Sequence, residues 1–534
     1  MKMMIRNIGT IYKITVIFFA VLVAVSCKKN GTGTPQLTLS NMKDTIPASG
    51  GTVGLTFNSN AAWSVDTTGI GWLHLSQISG GSGAANITLT GLANNKLGMS
   101  RSVLLSINST NGQSRQITVW QDAIIYPSYN TSAKAADATG MSSTATQIAN
   151  NIVYGWNFYN TMEAPGGETG WGNPPITQQQ FDLLKSNGVN AVRIPIRYDG
   201  HLINTATAQI DPAWLARIHQ VIQYGINDGM YVTINIHYDP GTTLTGAQQD
   251  TANAKHRALW EQVATAMRDF DEHLMFASLN ETSAVDVTST VTLMRYHQTF
   301  INAVRSTGGK NVYRTLVIQS PSASIDAANS LLNPANVYKT PSLPADPTPH
   351  RMMIEFHYYT PSQYCILGGN DNSTIPQDAS WGKELYFWGN RPDANGKNYH
   401  TTNPLFRDRN CVASTEEAYA DSIFKTVKTR FADKGIPLFM GEYAPSDHFG
   451  RLAGYKADSI LSVRSETHFT AYIAQQAKAN GVIPYLWAGI FNRPANNGVP
   501  TGSAFVGDMV TLDSVKVAIN RGVAAYGQGG AKFQ

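Results

Sequence analysis

Two glutamates that each follow a short apolar run are the residues of this sequence best suited to catalysis. One run, residues 274–279, ends at Asn280 and Glu281, and the run that begins at residue 437 reaches Glu442. Such runs predict buried strands, and in a parallel α/β barrel the catalytic groups lie at the carboxyl ends of the strands. Apolar walls there would raise the pKa of Glu281 and suit it to donate a proton. Two such carboxyl groups supply the acid/base and the nucleophile that a retaining glycosidase needs.

The rest of the C-terminal sequence predicts the elements that position these glutamates. From residue 151 onwards, strand and helix patterns alternate eight times, which predicts an α/β fold, a (β/α)8 TIM barrel with large loops. Several predicted helices end at a glycine just before the next strand, as at Gly188, Gly229, Gly435 and Gly481, and glycine commonly ends helices. The predicted strands are 152–158, 190–196, 230–237, 273–280, 314–320, 351–358, 437–443 and 482–488, and the clearest helices are 177–187, 212–228 and 415–434.

Further polar and aromatic residues follow the same predicted strands. Their convergence at one rim favours a binding site over unrelated structural residues. Histidines and glutamates could instead hold a metal ion, but a metal needs at least three ligands at one point. Since Arg193 and Trp487 suit a sugar better, we expect no metal and no other cofactor. The residues at the strand ends are Arg193, Asn235, His237, Tyr238, Asn280, Glu281, His357, Tyr359, Glu442 and Trp487.

Residues 36–122 have a different pattern, in which short alternating runs are separated by clusters of Gly, Ser and Asn. Period-two alternation between turn residues predicts a small all-β sandwich of immunoglobulin size. The segment contains no evident catalytic set, and Trp63 and Trp72 fit a sandwich core better than a sugar platform. A spacer is therefore its simplest role. Residues 123–147 are rich in Ala, Ser and Thr without a period, which indicates a linker to a barrel at 148–534.

The N-terminus has the pattern of a targeting segment. Basic residues precede an apolar stretch, residues 14–25, which is too short to span a bilayer comfortably. Small residues then lead to Cys27, as in a bacterial lipoprotein signal. We expect residues 1–27 to contain a signal peptide cleaved before an acylated Cys27, so that lipid holds the secreted protein on the bacterial cell envelope, at its periplasmic face or the cell surface. The alternative is an ordinary secretory signal with an incidental cysteine.

The composition is that of a secreted protein rather than a nucleic-acid-binding one. Of the 534 residues only 14% are charged, the net charge is +4, and no basic cluster stands out beyond the N-terminus. This argues against a nucleic-acid partner, and we expect a monomer. Cys365 and Cys411 could pair in an oxidising compartment. The sequence leaves that pairing open, because it does not show whether their Cα atoms come close enough.

Two known families resemble parts of this sequence. Residues 36–122 resemble a BACON domain, on Trp63, Trp72-Leu73, a Ser-Gly-Gly segment, Arg101-Ser102 and the closing Ile117-Thr-Val-Trp-Gln121. From residue 151 to the end, the chain resembles glycoside hydrolase family 5, a retaining family. The matching motifs are Gly155-Trp-Asn-Phe-Tyr-Asn160-Thr-Met-Glu163-Ala, Glu168-Thr-Gly-Trp-Gly-Asn173-Pro, Val192-Arg193-Ile-Pro195, Asn235-Ile-His237-Tyr-Asp239, Leu279-Asn280-Glu281, His357-Tyr-Tyr359, Gly441-Glu442-Tyr and Trp487.

The resemblance to family 5 implies a role for each of these residues. Glu281 would be the acid/base and Glu442 the nucleophile. Many members have a second His where Tyr238 stands and Pro where Thr282 stands, and both departures bear on substrate preference. The other implied roles are contact with the sugar 2-OH for Asn280, orientation and deprotonation of the nucleophile for Arg193 and Tyr359, lining of the −1 subsite for His237 and His357, and a stacking floor for Trp487.

The expected activity is that of a retaining endo-β-1,4-glucanase. The long loop 360–411 carries several aromatic residues that suit an open cleft and endo action on a polymer. The polymer would be cellulose, xyloglucan or mixed-linkage glucan, and the loop does not distinguish among these or mannan. One alternative is an endo-β-mannanase on the same barrel. The other is a surface lipoprotein that binds glycan without catalysis, and the presence of both glutamates with Arg193, His357 and Tyr359 favours the enzyme.

Overall fold

A computed structural model describes residues 34–40, 43–46, 50–92, 100–122, 126–237, 249–332, 343–367, 382–393, 395–488, 509–526 and 530–533. The chain divides into two units, Met1–Ile124 and Ile125–Gln534. Within the described residues, no helix has both the length and the apolar character needed to cross a membrane.

The described part of the first unit is an all-β sandwich of two sheets. Its strands are β1 (Leu37–Leu39), β2 (Lys43–Ile46), β3 (Gly51–Ser59), β4 (Trp63–Asp66), β5 (Leu73–Leu75), β6 (Ser79–Gly80), β7 (Gly83–Gly91), β8 (Arg101–Ser109) and β9 (Ser114–Gln121). One sheet has the order β1-β3-β7-β5 and the other the order β2-β9-β8-β4-β6. Alternate residues are buried along β7, as period two requires. The all-β prediction for this segment is therefore confirmed.

The two tryptophans of the sandwich are placed differently. Trp63 is 4% exposed and packs edge-on against Phe57, with ring centroids 4.8 Å apart. Trp72 is partly buried at the margin of the same core, and the Arg101 guanidinium lies over its ring, 4.7 Å from the centroid. Both rings thus pack within the sandwich, as the sequence suggests.

The second unit is built on a closed barrel of eight parallel strands. Their order is β11-β12-β15-β16-β18-β19-β20-β21, and β11 pairs with both β12 and β21 to close it. The strands are buried on both faces because helices cover the outside while side chains fill the inside. The predicted (β/α)8 barrel is confirmed. The barrel strands are β11 (Gly155–Asn157), β12 (Ala191–Ile194), β15 (Tyr231–Asn235), β16 (Leu274–Ala277), β18 (Leu316–Ser324), β19 (Met352–Tyr358), β20 (Leu438–Tyr443) and β21 (Val482–Leu486).

The helices begin and end where local sequence signals predict. At the start of the helix after β12, the Asp211 carboxylate accepts from the Ala213 N–H at 2.8 Å, with Pro212 as the first helical residue, which is a favourable helix start. The four predicted terminal glycines have φ between 66° and 83°, a left-handed conformation that glycine adopts without strain. The helices are α1 (Ala145–Asn151), α2 (Gln178–Ser186), α3 (Pro212–Asn227), α4 (Gln249–Ala266), α5 (Val287–Ser306), α6 (Ile325–Leu331), α7 (Ser362–Cys365), α8 (Glu417–Arg430), α9 (Lys456–Ala479) and α10 (Met509–Tyr526).

The described part of the predicted linker, residues 126–147, packs against the barrel. A short strand, β10 (Lys134–Ala136), pairs in parallel with β17 (Gly308–Gly309). The Glu261 carboxylate accepts from the Tyr129 N–H at 2.6 Å, and α1 shares a buried apolar cluster with residues of the barrel strands. These contacts combine backbone groups with scattered side chains such as Tyr126 and Tyr129, which pack against the barrel core, so they leave no period in the sequence. The remaining short strands, β13 (Leu202–Asn204) and β14 (Gln209–Ile210), form an antiparallel pair.

The two cysteines of the long loop region do not form a disulfide. Cys365 and Cys411 are both free and both buried in the barrel's apolar core. Burial raises the pKa of both thiols, because an apolar environment disfavours the thiolate.

Candidate active site

The two predicted catalytic glutamates lie together at the carboxyl ends of β16 and β20. One carboxylate oxygen of Glu281, one of Glu442 and a ring nitrogen of His357 all lie within 4.8 Å of one another. Glu442 is within β20 and its side chain is 6% exposed, whereas the Glu281 side chain, beyond the end of β16, is 47% exposed. One carboxylate is therefore enclosed by the barrel, and the other is open to an incoming molecule.

The backbone at Glu281 is held in an unusual conformation. Its φ is 47°, in the left-handed region that residues with a side chain adopt at a cost of about 1–3 kcal/mol. The next N–H, of Thr282, donates to the Gln319 side-chain oxygen at 3.3 Å, and the Thr282 carbonyl accepts from the Ser322 N–H at 3.2 Å. β18 thus fixes the direction in which Glu281 leaves its strand.

Arg193 on β12 connects the two glutamate strands. Its side chain is completely buried, and one terminal nitrogen lies 2.9 Å from Glu442 Oε1 and 3.1 Å from Asn157 Oδ1. The other terminal nitrogen donates to Asn280 Oδ1 at 2.7 Å, and Nε lies 3.0 Å from Glu355 Oε1. Because these partners come from four different chain segments, the guanidinium orients the whole polar layer.

Glu442 receives a second hydrogen bond from the phenol of Tyr359, whose oxygen lies 3.1 Å from Glu442 Oε2. Burial raises the pKa of Tyr359 far above its usual range, so this hydroxyl stays protonated as a donor. Burial also raises the pKa of Glu442, and the positive charges of His357 and Arg193 oppose that effect. Glu442 is thus a buried acid with hydrogen-bond donors on both of its oxygens.

His357 lies between three carboxylates. Its Nδ1 is 2.8 Å from Glu281 Oε1 and 3.6 Å from Glu442 Oε2, while Nε2 is 3.3 Å from Glu355 Oε1. Burial alone would disfavour the charged imidazolium, but the three carboxylates raise the pKa of His357 to about 10. The three carboxylates therefore favour the protonated, cationic form of His357.

The positive charge of His357 shifts the pKa of Glu281 in the direction opposite to the one expected from the sequence. Partial burial favours the neutral acid, but the hydrogen bond and charge of His357, together with Arg193, lower the pKa of Glu281. The sequence-based expectation of a raised pKa for Glu281 is therefore wrong. The reason is that a protonated histidine faces the carboxylate where apolar walls were expected.

The aromatic wall of the site is formed around Trp487. The His237 ring is parallel to the indole, at an interplanar angle of 6° with centroids 5.9 Å apart, and Tyr159 contacts the indole at 5.5 Å. Burial lowers the pKa of His237 well below its usual range, so this imidazole is neutral. Its Nδ1 contacts the side-chain amide of Asn235 at 3.2 Å, which fixes the ring. All the predicted site residues that the structure describes meet at this rim, and Tyr238 lies outside the described residues.

Sequence reasoning gave no role to two buried glutamates near this site, Glu355 and Glu163. Glu355 is two residues before His357 on β19, and the alternation of side chains along a strand could have shown that both face inward. Glu163 accepts from the Thr161 N–H at 2.9 Å and from the Asn160 N–H. Burial raises its pKa to about 7. It closes the turn after β11 that carries Tyr159.

Among the described residues, the one group of side chains close enough together to surround a metal ion is the triad of Glu281, His357 and Glu442. Both ring nitrogens of His357 already contact carboxylate oxygens, so this ring has no free lone pair to offer an ion. The triad is better described as two acids bridged by a histidine.

Comparison with known proteins agrees with this geometry. A family model described as Cellulase (glycosyl hydrolase family 5) matches residues 155–493. The chain belongs to glycosyl hydrolase family 5. This family 5 enzyme is 31% identical over 386 residues to endoglucanase A of Paenibacillus barcinonensis, covering 69% of this chain and 87% of that protein. It is 26% identical over 447 residues to a xyloglucan-specific endo-β-1,4-glucanase of Bacteroides ovatus, covering 80% of each.

Solved structures of family 5 enzymes share its fold. A xyloglucan-specific β-1,4-glucanase from a ruminal metagenomic library, solved with the oligosaccharide XXLG, is 33% identical, with a TM-score of 0.57 over 73% of this chain and 98% of that one. A family 5 xyloglucanase of Bacteroides ovatus, solved with an XXXG heptasaccharide, has 24% identity and a TM-score of 0.61 over 91% of this chain and all of that one. This family 5 chain is thus a glycoside hydrolase of the endoglucanase and xyloglucanase type.

Proposed function

We propose that this protein is a retaining endo-β-1,4-glucanase in which Glu442 is the nucleophile and Glu281 the acid/base. The observation that carries the proposal is the approach of the two carboxylates, whose nearest oxygens lie within 4.8 Å. Retaining glycosidases place their carboxyl groups about 5–5.5 Å apart, whereas inverting ones need about 6.5–9.5 Å to admit a water molecule. The narrow gap supports double displacement.

In the first step, Glu442 attacks the anomeric carbon and Glu281 protonates the departing glycosidic oxygen. Donors already surround the nucleophile: Arg193 at 2.9 Å and Tyr359 at 3.1 Å. These two donors stabilise the ionised form of the Glu442 carboxyl group although it is buried. They also fix its two oxygens, so that one faces the sugar.

In the second step, Glu281 acts as the base for the water that hydrolyses the glycosyl-enzyme. Its exposed side chain lets both the leaving group and the incoming water reach the same carboxylate from the cleft. Glu442, whose side chain is only 6% exposed, is much less open to water, which supports this division of roles. Retention of configuration follows from two successive inversions.

The −1 sugar would be held by Asn280, His237, His357 and Trp487. Arg193 fixes the Asn280 side chain at 2.7 Å, so its amide nitrogen is directed toward His237 Nε2, 3.4 Å away. The second N–H of that amide is suited to a sugar hydroxyl. The neutral His237 ring, parallel to Trp487, extends the aromatic wall. Aromatic faces suit sugar rings because the C–H faces of a pyranose are apolar.

Among β-1,4-glucans, we propose xyloglucan as a principal substrate. Two relatives in the comparisons are named as xyloglucan-specific, one of them 33% identical, while another is named an endoglucanase. The test is release of reducing ends from tamarind xyloglucan, carboxymethylcellulose, lichenan and β-mannan. Activity greatest on mannan, or absent from every glucan, would overturn the proposal. Glu442→Gln is the control that assigns any activity to this site.

We also propose that lipid on Cys27 anchors a monomeric enzyme at the cell envelope and that the BACON-like sandwich serves as a spacer. Residues 1–33 lie outside the described part of the chain, so the support is the sequence pattern of basic residues, an apolar stretch and Cys27. Membrane fractionation of the wild type and Cys27→Ala tests the anchor. A wild type that is wholly soluble and lacks an acyl group would refute it.

A further inference from the structure

A third carboxylate, to which the reaction above gives no role, lies beneath the catalytic pair. Glu355 precedes His357 by two residues on β19, and its side chain is completely buried. Its Oε1 atom lies 3.0 Å from Arg193 Nε and 3.3 Å from His357 Nε2. Glu355 therefore contacts Arg193 and His357, the same two basic residues that also lie close to Glu442.

The neighbouring strand leaves room for this carboxylate. Position 441 on β20 is glycine, and a Cβ atom built there would lie 2.0 Å from Glu355 Oε1. Since real Cβ contacts are never that short, any side chain at 441 would displace the carboxylate. Gly441 thus lets β20 carry Glu442 at the rim while Glu355 occupies the layer below.

The contacts of His357 are compatible with two arrangements of its protons. Nδ1 is 2.8 Å from Glu281 and Nε2 is 3.3 Å from Glu355. An ionised carboxylate can only accept hydrogen bonds, so both contacts are satisfied when both ring nitrogens are protonated. In the alternative, the Nδ1 proton has moved to the Glu281 carboxyl. The two arrangements differ by one proton along a single 2.8 Å contact.

The charged groups around His357 favour the doubly protonated ring. The acidic groups outnumber the basic ones, and they raise the pKa of His357 to about 10 while that of Glu281 is lowered. The groups that face the ring are Glu281 after β16, Glu442 on β20, Glu355 on β19, Arg193 on β12 and the neutral His237 after β15, with the neutral phenol of Tyr359 bonded to Glu442.

We propose that Glu355 is a positioning residue that keeps His357 doubly protonated, so that His357 supplies the proton that Glu281 gives to the leaving group. The inference rests on the proposed role of Glu281. In the first step the Nδ1–H bond of His357 breaks, an O–H bond forms on Glu281, and the proton passes to the glycosidic oxygen. In the second step the proton that Glu281 removes from water returns to Nδ1. Substrate and water are the only reactants.

The test is the pH dependence of Glu355→Gln, which keeps the size of the side chain and removes its charge. The imidazolium loses one of its three carboxylate neighbours, so the His357–Glu281 pair releases its proton more easily. The alkaline limb of the kcat/KM profile should move to lower pH by about one unit or more. At alkaline pH, kcat/KM on polysaccharide should fall much more than kcat/KM on a dinitrophenyl glycoside, which needs little acid assistance.

Glu417→Gln is the matched control. Glu417 is also buried and contacts a histidine, His468, at 3.0 Å, but it lies on α8 away from the carboxylate pair. This variant should leave the alkaline limb in place.

Gly441→Ala is a second test of the role of Glu355. The added Cβ atom displaces the Glu355 carboxylate without changing any charge, so this variant should also move the alkaline limb to lower pH.

An unmoved alkaline limb in folded Glu355→Gln, with equal losses on both substrates, would overturn the inference. If neither variant folds, the wild type answers the question through the ¹⁵N resonances of His357, identified by their loss in His357→Gln. Two protonated ring nitrogens at pH 8 support the inference, and a neutral ring contradicts it. Glu281→Ala separates the proposed acid/base role of Glu281 from the proposed role of Glu355. If the loss of kcat/KM in Glu281→Ala is the same for polysaccharide and for a dinitrophenyl glycoside, the proposed function itself fails.

Discussion

Both units of this chain have an apolar core, but they differ in the polar groups that they bury beside it. In the described sandwich, the core consists of aliphatic and aromatic side chains, and the buried polar residues are Ser59, Ser109 and Gln121. The barrel instead buries charged groups together, including Arg193 and Glu355 at zero exposure. Because removing charges from water is costly even when they are paired, such a network is expected where chemistry requires it. Packing dominates the first unit, and electrostatics dominates the rim of the second.

The largest effect should come from removing the nucleophile of the barrel. Glu442→Gln keeps an acceptor oxygen for one of its two donors, Arg193 or Tyr359, but cannot form the glycosyl-enzyme. We expect kcat on xyloglucan to fall by a factor on the order of 10⁴ or more, with the thermal transition nearly unchanged. Steady-state kinetics and calorimetry on the same preparation measure both. Substantial residual activity would remove Glu442 from the mechanism.

A smaller and more selective loss should follow Glu281→Ala. General acid catalysis contributes about 10²–10⁴-fold, so polysaccharide hydrolysis should fall by roughly that factor. The first step on a dinitrophenyl glycoside should fall much less. Azide, which needs no base, should accelerate the second step and give a β-configured glycosyl azide, detectable by NMR. An α-configured product would indicate inversion and contradict the two-glutamate mechanism.

The sandwich should respond in stability rather than in activity. Trp63→Ala removes a ring that is 4% exposed, and truncation of a buried aromatic residue costs about 3–5 kcal/mol. We expect the sandwich's unfolding transition to move to lower temperature while kcat of the barrel stays constant. Trp120→Ala is the control, because that ring is 37% exposed. A change in kcat for Trp63→Ala would show that the two interiors are coupled.

Acid should affect the barrel more than the sandwich. Burial lowers the pKa of His256 to about 3 and that of His297 to about 4. The unfolded chain binds these protons near pH 6.5, so their contribution to stability is complete above that pH and is lost as pH falls toward 4. His297→Gln should reduce the acid sensitivity of the barrel's unfolding free energy between pH 6.5 and 4. An unaltered slope would exclude His297 as a cause.

The smallest effect should be that of a thiol reductant. Cys365 and Cys411 are free and buried, so no covalent bond between them contributes to stability. The thermal transition of the barrel should be the same with and without dithiothreitol. A transition lowered by the reductant would show that these two thiols pair in the folded protein.

Much of the fold could be predicted because its signals are local. The apolar runs, the amphipathic helices and Gly188, Gly229, Gly435 and Gly481 each mark an element within a few residues. The rim position of Glu281 and Glu442 follows from the same runs, because parallel strands present their carboxyl ends at one side. The packing of residues 126–147 against the barrel could not be predicted in this way, because their sequence has no periodic pattern of apolar residues.

What the sequence by itself determined is which residues reach the rim of the barrel and which chemistry they are capable of. Only the tertiary structure decided their charges. Arg193 and Glu442 are 249 positions apart and Glu281 and His357 are 76 apart, so no local pattern shows that they meet. The lowered pKa of Glu281 and the role of Glu355 exist only when the closed barrel brings these groups within a few ångströms, because electrostatic interactions depend on distance and burial, not on order along the chain.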